Sequence, residues 1–263
     1  MWLSVIALTS IVPAVLQAFR ERADRDAVFW ATLAAALAGP LAWLAVYSVP
    51  SWQTGLAATL WVTIATSLAL FAVVAAIVSQ AWRLGPLLAS YMLLLGLGAV
   101  VWHDAPGEPL QAIPAEHAWV SVHIALGVVT YGLITIAAVA AFAAFQQERA
   151  LKRKQPLAFT RHLPSLADCE RLQLSLLQSG WGVLGIGLLT GMALQWQETR
   201  QLLPFNHKVV LTLAAFVVIG GLLVAQRWAG VRGRRAARLL LLGYLLLTLG
   251  YPGVKFVSEV LVG

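Results

Sequence analysis

The chain has 263 residues, 60% of them hydrophobic and only 11% charged, with a mean hydropathy of +0.81. That composition excludes an ordinary soluble domain and calls for helices that cross a lipid bilayer. The net charge of +7 does not mark a nucleic-acid binder, because the basic residues are strung along short segments between apolar runs, where anionic lipid headgroups are their partners; a single cysteine, Cys169, excludes an internal disulfide and a CxxC redox pair.

Eight apolar stretches reach the roughly 20 residues of helix that a hydrocarbon core requires. The first, near 1–19, has no basic residue ahead of its apolar run and an arginine cluster behind it, so it reads as an uncleaved helix and not as a secretory leader. Helices follow near 27–48, 55–79 and 85–102. The fifth, near 118–145, carries His123 in an otherwise apolar run, and the good helix formers Gln146 to Lys154 extend it until Pro156 and Pro164 break the chain. The sixth, near 172–195, is glycine-dense, and Gly187 and Gly191 have the small-xxx-small spacing of close helix packing. Asn206-His207-Lys208 opens the seventh, near 208–226. The eighth, near 239–258, brings Lys255 to its outer end beside Glu259, as a local ion pair or as positive charge for a ligand carboxylate. Trp52, Trp102, Trp119, Trp196 and Trp228 fall near the ends of these runs, as an aromatic belt requires.

Charge orients the bundle. Of 18 Lys and Arg residues, 15 lie in alternate segments: Arg20, Arg22 and Arg25; Arg83; Arg149, Lys152, Arg153, Lys154, Arg161 and Arg171; and Arg227, Arg232, Arg234, Arg235 and Arg238. The other set holds only Arg200, Lys208 and Lys255. The positive-inside rule puts the basic set in the cytoplasm and both termini outside; an even number of crossings likewise requires the termini to share a side. The expected fold is an all-α integral membrane protein: one transmembrane domain over 1–263, a bundle of eight transmembrane helices with both termini on the outer, periplasmic side of a bacterial inner membrane.

Four of the five histidines, His103, His117, His123 and His207, fall in or beside outward-facing segments; His162 sits among basic loop residues and reads as solvated. His123 lies about one turn inside its helix, with Gly127, Thr130 and Tyr131 on its face. Buried without a partner, an imidazole there costs a few kcal/mol. His207 has Leu211, Ala214 and Val218 below it. Each histidine either bonds a neighbouring carbonyl and snorkels at the interface, or gives a nitrogen to a planar macrocycle. His117 is rotated too far from His123 for the two to share an ion, which disfavours zinc. Scarce intramembrane charge argues against an ion-coupled pump, and the absence of paired broken helices against a solute transporter.

The run from His123 to Tyr131, the basic turn Gln147 to Lys154, Leu163-Pro164-Ser165-Leu166 with Glu170 and Gly191, His207-Lys208, and Tyr251-Pro252-Gly253-Val254-Lys255-Phe256 together resemble the cytochrome c assembly membrane proteins of the CcsA and CcmC type, nearest the shorter HemX-like and YpjD-like branch. The likeness covers 118–263; the first four helices match in hydrophobicity alone. It implies haem handling, with b-type haem near the outer surface, His123 and His207 as axial ligands of the iron, and Arg200, Lys208 or Lys255 as partners of the propionates. Two departures bear on activity. The synthases' WGxxWxWD segment is absent between Trp196 and Asn206, and Val224 and Gln226 stand where those enzymes carry an intramembrane histidine. The resemblance therefore implies haem binding without catalysis, for haem handling or cytochrome assembly, with lipids, haem and another membrane protein or a cytochrome as partners. The rival expectation is a regulatory or scaffolding membrane subunit that binds a second membrane protein and no haem.

Overall fold

A computed structural model describes residues 1–20, 24–47, 55–103, 118–154, 158–200, 206–253 and 256–257. Among them are eight α-helices and no strand: α1 Trp2–Leu16, α2 Ala27–Tyr47, α3 Leu56–Ile77, α4 Gly85–Val101, α5 Ala118–Arg153, α6 Leu166–Thr199, α7 His207–Trp228 and α8 Gly233–Thr248. With the 3-10 turns Gln17–Phe19 after α1 and Ala81–Leu84 before α4 counted in, seven of the eight are long and apolar enough to cross a membrane. The exception, α8, has 16 residues and opens on Gly233-Arg234-Arg235.

Boundaries shift from the sequence expectation for identifiable reasons. The fifth helix runs to Arg153, as its polar extension requires. The sixth starts at Leu166 and not near 172, because Ser165 caps it: its hydroxyl accepts from the Asp168 amide at 3.2 Å. The eighth starts at Gly233 and not near 239, and Leu249–Gly253 follows it as a π-helical turn containing Pro252, which has no N–H to give an α-helix.

Small residues let the helices approach one another. Without a hydrophobic drive between helices in lipid, close packing and interhelical hydrogen bonds must hold the bundle. Gly39 of α2 lies against Ala7 and Ser10 of α1, Gly132 of α5 against α3, Gly180 of α6 against Ile134 of α5, and Gly243 of α8 against Ile219 of α7. Trp43 Nε1 donates to the buried Ser4 hydroxyl at 2.9 Å. Deeper in the bundle, Tyr244 of α8 lies 2.6 Å from the hydroxyl of Tyr91 on α4 and 3.2 Å from Thr135 Oγ1 on α5. Interhelical bonds of this kind average about 0.6 kcal/mol and reach about 1.7. Tyr244→Phe is expected to cost that much and to leave the Tyr91 hydroxyl short of a partner, read as a lowered Tm in detergent.

The segments the charge pattern groups together do meet at one end. Arg25 donates to the Ala75 carbonyl at 3.1 Å, Arg234 lies 5.4 Å over the Phe145 ring, and a crevice joins Gln17, Arg83 and His162. Arg20 clamps Asp26 through two bonds of 2.6 and 3.0 Å. The guanidinium's hydrogen bond, helped by the Phe29 amide, holds the Asp26 carboxyl down at about 2. A depressed carboxylate stabilises the fold above its ordinary value of 3.8, and that contribution is lost as pH falls towards 2. At the opposite end, the Met1 amine meets His103 Nε2 at 2.8 Å and Trp102 packs edge-on against Phe256.

Candidate functional site

At that opposite end the bundle opens into a cavity of about 430 Å³ bounded by α3, α5, α6, α7 and the turn after α8. This is within the range of roughly 300 to 1,000 Å³ typical of cofactor sites. His123 lines it from α5, with Gly127, Thr130 and Tyr131 below on the same face, as the helical period requires. Gly127 has nothing within 4 Å of where a Cβ would stand, so that wall is open space. Thr130 is buried, and its hydroxyl has no hydrogen-bond partner among the described residues. An orphaned hydroxyl at a cavity wall is one a ligand or water can satisfy.

The imidazole of His123 is fixed from α6. Its Nδ1 lies 3.1 Å from the Gly187 carbonyl oxygen and 3.1 Å from Thr190 Oγ1, while the Thr190 hydroxyl donates to the same carbonyl at 2.9 Å. A carbonyl only accepts, so this berth favours a neutral ring that donates from Nδ1 and keeps its lone pair on Nε2. The ring lies on Gly191, where a Cβ would come within 2.8 Å of Cε1. The small-residue spacing of Gly187 and Gly191 thus does pack α6 close to α5, and it also makes a berth for the histidine.

The structure separates the other nominated residues. Asn206 and Lys208 line the cavity from the start of α7, where the Asn206 side chain caps the helix by accepting from the Val209 amide at 3.0 Å. His207, between them, is exposed and is not among the lining residues. Below Lys208 the wall is Val209 and Thr212 instead of the Leu211–Ala214–Val218 face beneath His207. Arg200 closes α6 in the left-handed conformation, φ 58°, with its guanidinium 5.9 Å above the Trp196 ring, also outside the lining. Lys255 and His117 lie outside the described residues. His103 is occupied with Met1, and His162 is exposed at the basic end. Among the described residues no group of three metal-binding side chains gathers.

Sequence reasoning missed Thr190 and Gln195 on α6 and Thr59 and Thr63 on α3. The four-residue spacing of Thr59 and Thr63 was the available signal, a polar stripe on an apolar helix. Thr190 had none, because only the α5–α6 crossing gives it a role.

Fold and site together define a multi-pass helical membrane protein with an imidazole-bearing pocket at one end of its bundle. The profile of the family described as "Cytochrome C assembly protein" matches residues 28–262, and the chain belongs to that family. The match reaches well beyond 118–263 and takes in the early helices, which carry Thr59 and Thr63. The chain is 49% identical to an "Uncharacterized 28.8 kDa protein in nifR3-like 5'region" of Azospirillum brasilense over 265 residues, 99% of this chain and 97% of that one. It is 29% identical to "Inner membrane protein YpjD" of Escherichia coli K12 over 184 residues, 70% of this chain and 67% of that protein. No solved structure matches.

Proposed function

We propose that this protein binds b-type haem in the cavity, on the outer face of a bacterial inner membrane, and serves haem handling in cytochrome assembly without catalysing haem attachment. The observation that carries this is His123: its Nδ1 is committed to α6, so Nε2 is the free donor beside a cavity of cofactor size. The lining suits the group. Apolar walls, the open face at Gly127 and a cation at Lys208 are what a flat, largely apolar ring with two carboxylates requires. Bound haem supplies an iron porphyrin that can change oxidation state or be passed on. The chain's part is to give one imidazole nitrogen to the iron, to set Lys208 near the propionates, and to keep water off the buried face. Arg200 and Lys255 remain candidate propionate partners, and His207, at the rim, is the candidate second axial ligand.

An absorption spectrum of the purified protein tests this. Haem held by histidine gives a strong Soret band, and a scaffold that binds none gives no band. His123→Ala is expected to lower haem retention roughly tenfold or more, and His162→Ala to leave it unchanged. His207→Ala reports separately: a shifted Soret band assigns the second ligand to His207, and an unchanged one removes it. If His123→Ala keeps the wild-type spectrum, the assignment of haem to this cavity fails.

The orientation belongs to the same proposal. Eight crossings place both termini outside and put the inner-membrane protein's basic end in the cytoplasm. Reporter fusions after Gly107 and Gly263 are expected in the outer compartment, and one after Gln155 in the cytoplasm; a cytoplasmic Gly263 would remove α8 from the set of crossings.

A further inference from the structure

The α6 segment that holds His123 does more than support a ring. Nδ1 faces two oxygens at 3.1 Å, and Thr190's single hydroxyl proton is committed to the Gly187 carbonyl, so both oxygens present lone pairs to the same N–H. The opposite tautomer would set a nitrogen lone pair against the carbonyl, which is repulsive. A ligating imidazole whose other nitrogen donates to oxygen is oriented and made more basic at the metal-binding nitrogen. A more basic nitrogen favours the more highly charged ion. We infer that Thr190, together with the Gly187 carbonyl, is the positioning pair for His123: it locks the Nδ1–H tautomer, turns Nε2 to the cavity, and biases the site towards ferric over ferrous haem. The inference rests on the haem reading for its redox part only. Its tautomer part stands on the protein alone.

Two measurements test it. In haem-free protein labelled with ¹⁵N-histidine, the His123 ring is expected as the Nδ1–H tautomer at neutral pH; an Nε2–H tautomer there overturns the inference whatever the fate of haem. In haem-loaded protein reduced with dithionite and followed spectroscopically, Thr190→Val is expected to lower the ratio of ferric to ferrous affinity about tenfold, which raises the midpoint potential by about 59 mV for one electron. Thr190→Ser, which keeps the hydroxyl, is expected to restore the wild-type value. Equal potentials in wild type and Thr190→Val overturn the redox role. Should Thr190→Val shed haem in both oxidation states, retention by Thr190→Ser supports positioning by the hydroxyl, and loss by both variants reduces Thr190 to packing. A wild-type protein with no Soret band defeats the haem reading and the redox bias with it, while the ¹⁵N measurement still decides the tautomer.

Discussion

Gly191→Val is expected to strip the protein of haem as completely as His123→Ala does, with the bundle still assembled. A Cβ at position 191 would stand 2.8 Å from His123 Cε1, closer than carbon atoms approach, and 3.5 Å from both ring nitrogens. The neighbour that must yield is a flat ring tied at Nδ1 by two hydrogen bonds, so it cannot slide; it must swing about its side-chain torsions. Swinging breaks both bonds and turns Nε2 away from the cavity. Leaving the ring's N–H unpaired in a partly buried place costs about 1–3 kcal/mol, and losing the donor geometry removes the coordination itself. Gly182, on the same helix, is the control: no atom lies within 4 Å of its Cβ position, so Gly182→Ala meets nothing and gains helix propensity of about 1 kcal/mol. The haem-to-protein ratio of the purified variants decides the matter. A Gly191→Val protein with the wild-type ratio would show that His123 does not bind iron from this position.

What the sequence could and could not say about this site follows from the range of each kind of information. Helical periodicity is local, and it put Gly127, Thr130 and Tyr131 beneath His123, all of which line the cavity. The charge pattern is also a direct reading, and the contacts of Arg25, Arg234 and the Gln17–Arg83–His162 crevice gather the basic segments at one end. Residue type and depth point to His207, but neither carries the direction in which α7 is rotated. That rotation is a tertiary property. The helix turns Lys208 and Thr212 to the cavity and leaves His207 exposed one position away. Thr190 was illegible for the same reason in stronger form. A threonine in an apolar helix ordinarily bonds its own backbone, and Thr190 does so, to Gly187; only the approach of α5 makes that oxygen pair a cradle for a histidine.

Producing this protein together with a c-type apocytochrome, in cells without their own assembly system, is expected to yield no covalent holocytochrome even though the protein itself purifies with haem. Attachment adds each thiol across a haem vinyl, forming a sulfur–carbon bond while the hydrogen goes to the neighbouring carbon, so the ring must be held flat with its vinyl edge presented to the incoming chain. In the synthases this family resembles, a tryptophan-rich segment with flanking histidines is that stage. Here the equivalent stretch runs from Trp196 to Asn206 with Trp196 as its only tryptophan. That indole is 44% exposed, lies beneath the Arg200 guanidinium and takes no part in the cavity wall. Among the described residues, the cavity wall takes Asn206 from the end of this stretch and Gln195 from just before it, both of them hydrogen-bonding groups. On the proposed reading the chain grips a ring at His123 and Lys208 without the tryptophan-rich stage that lays its edge open. The measurement is haem staining after denaturing electrophoresis: only covalent haem survives on the cytochrome band. A stained band that disappears with His123→Ala would overturn the separation of binding from ligation, and would assign attachment to the same cavity.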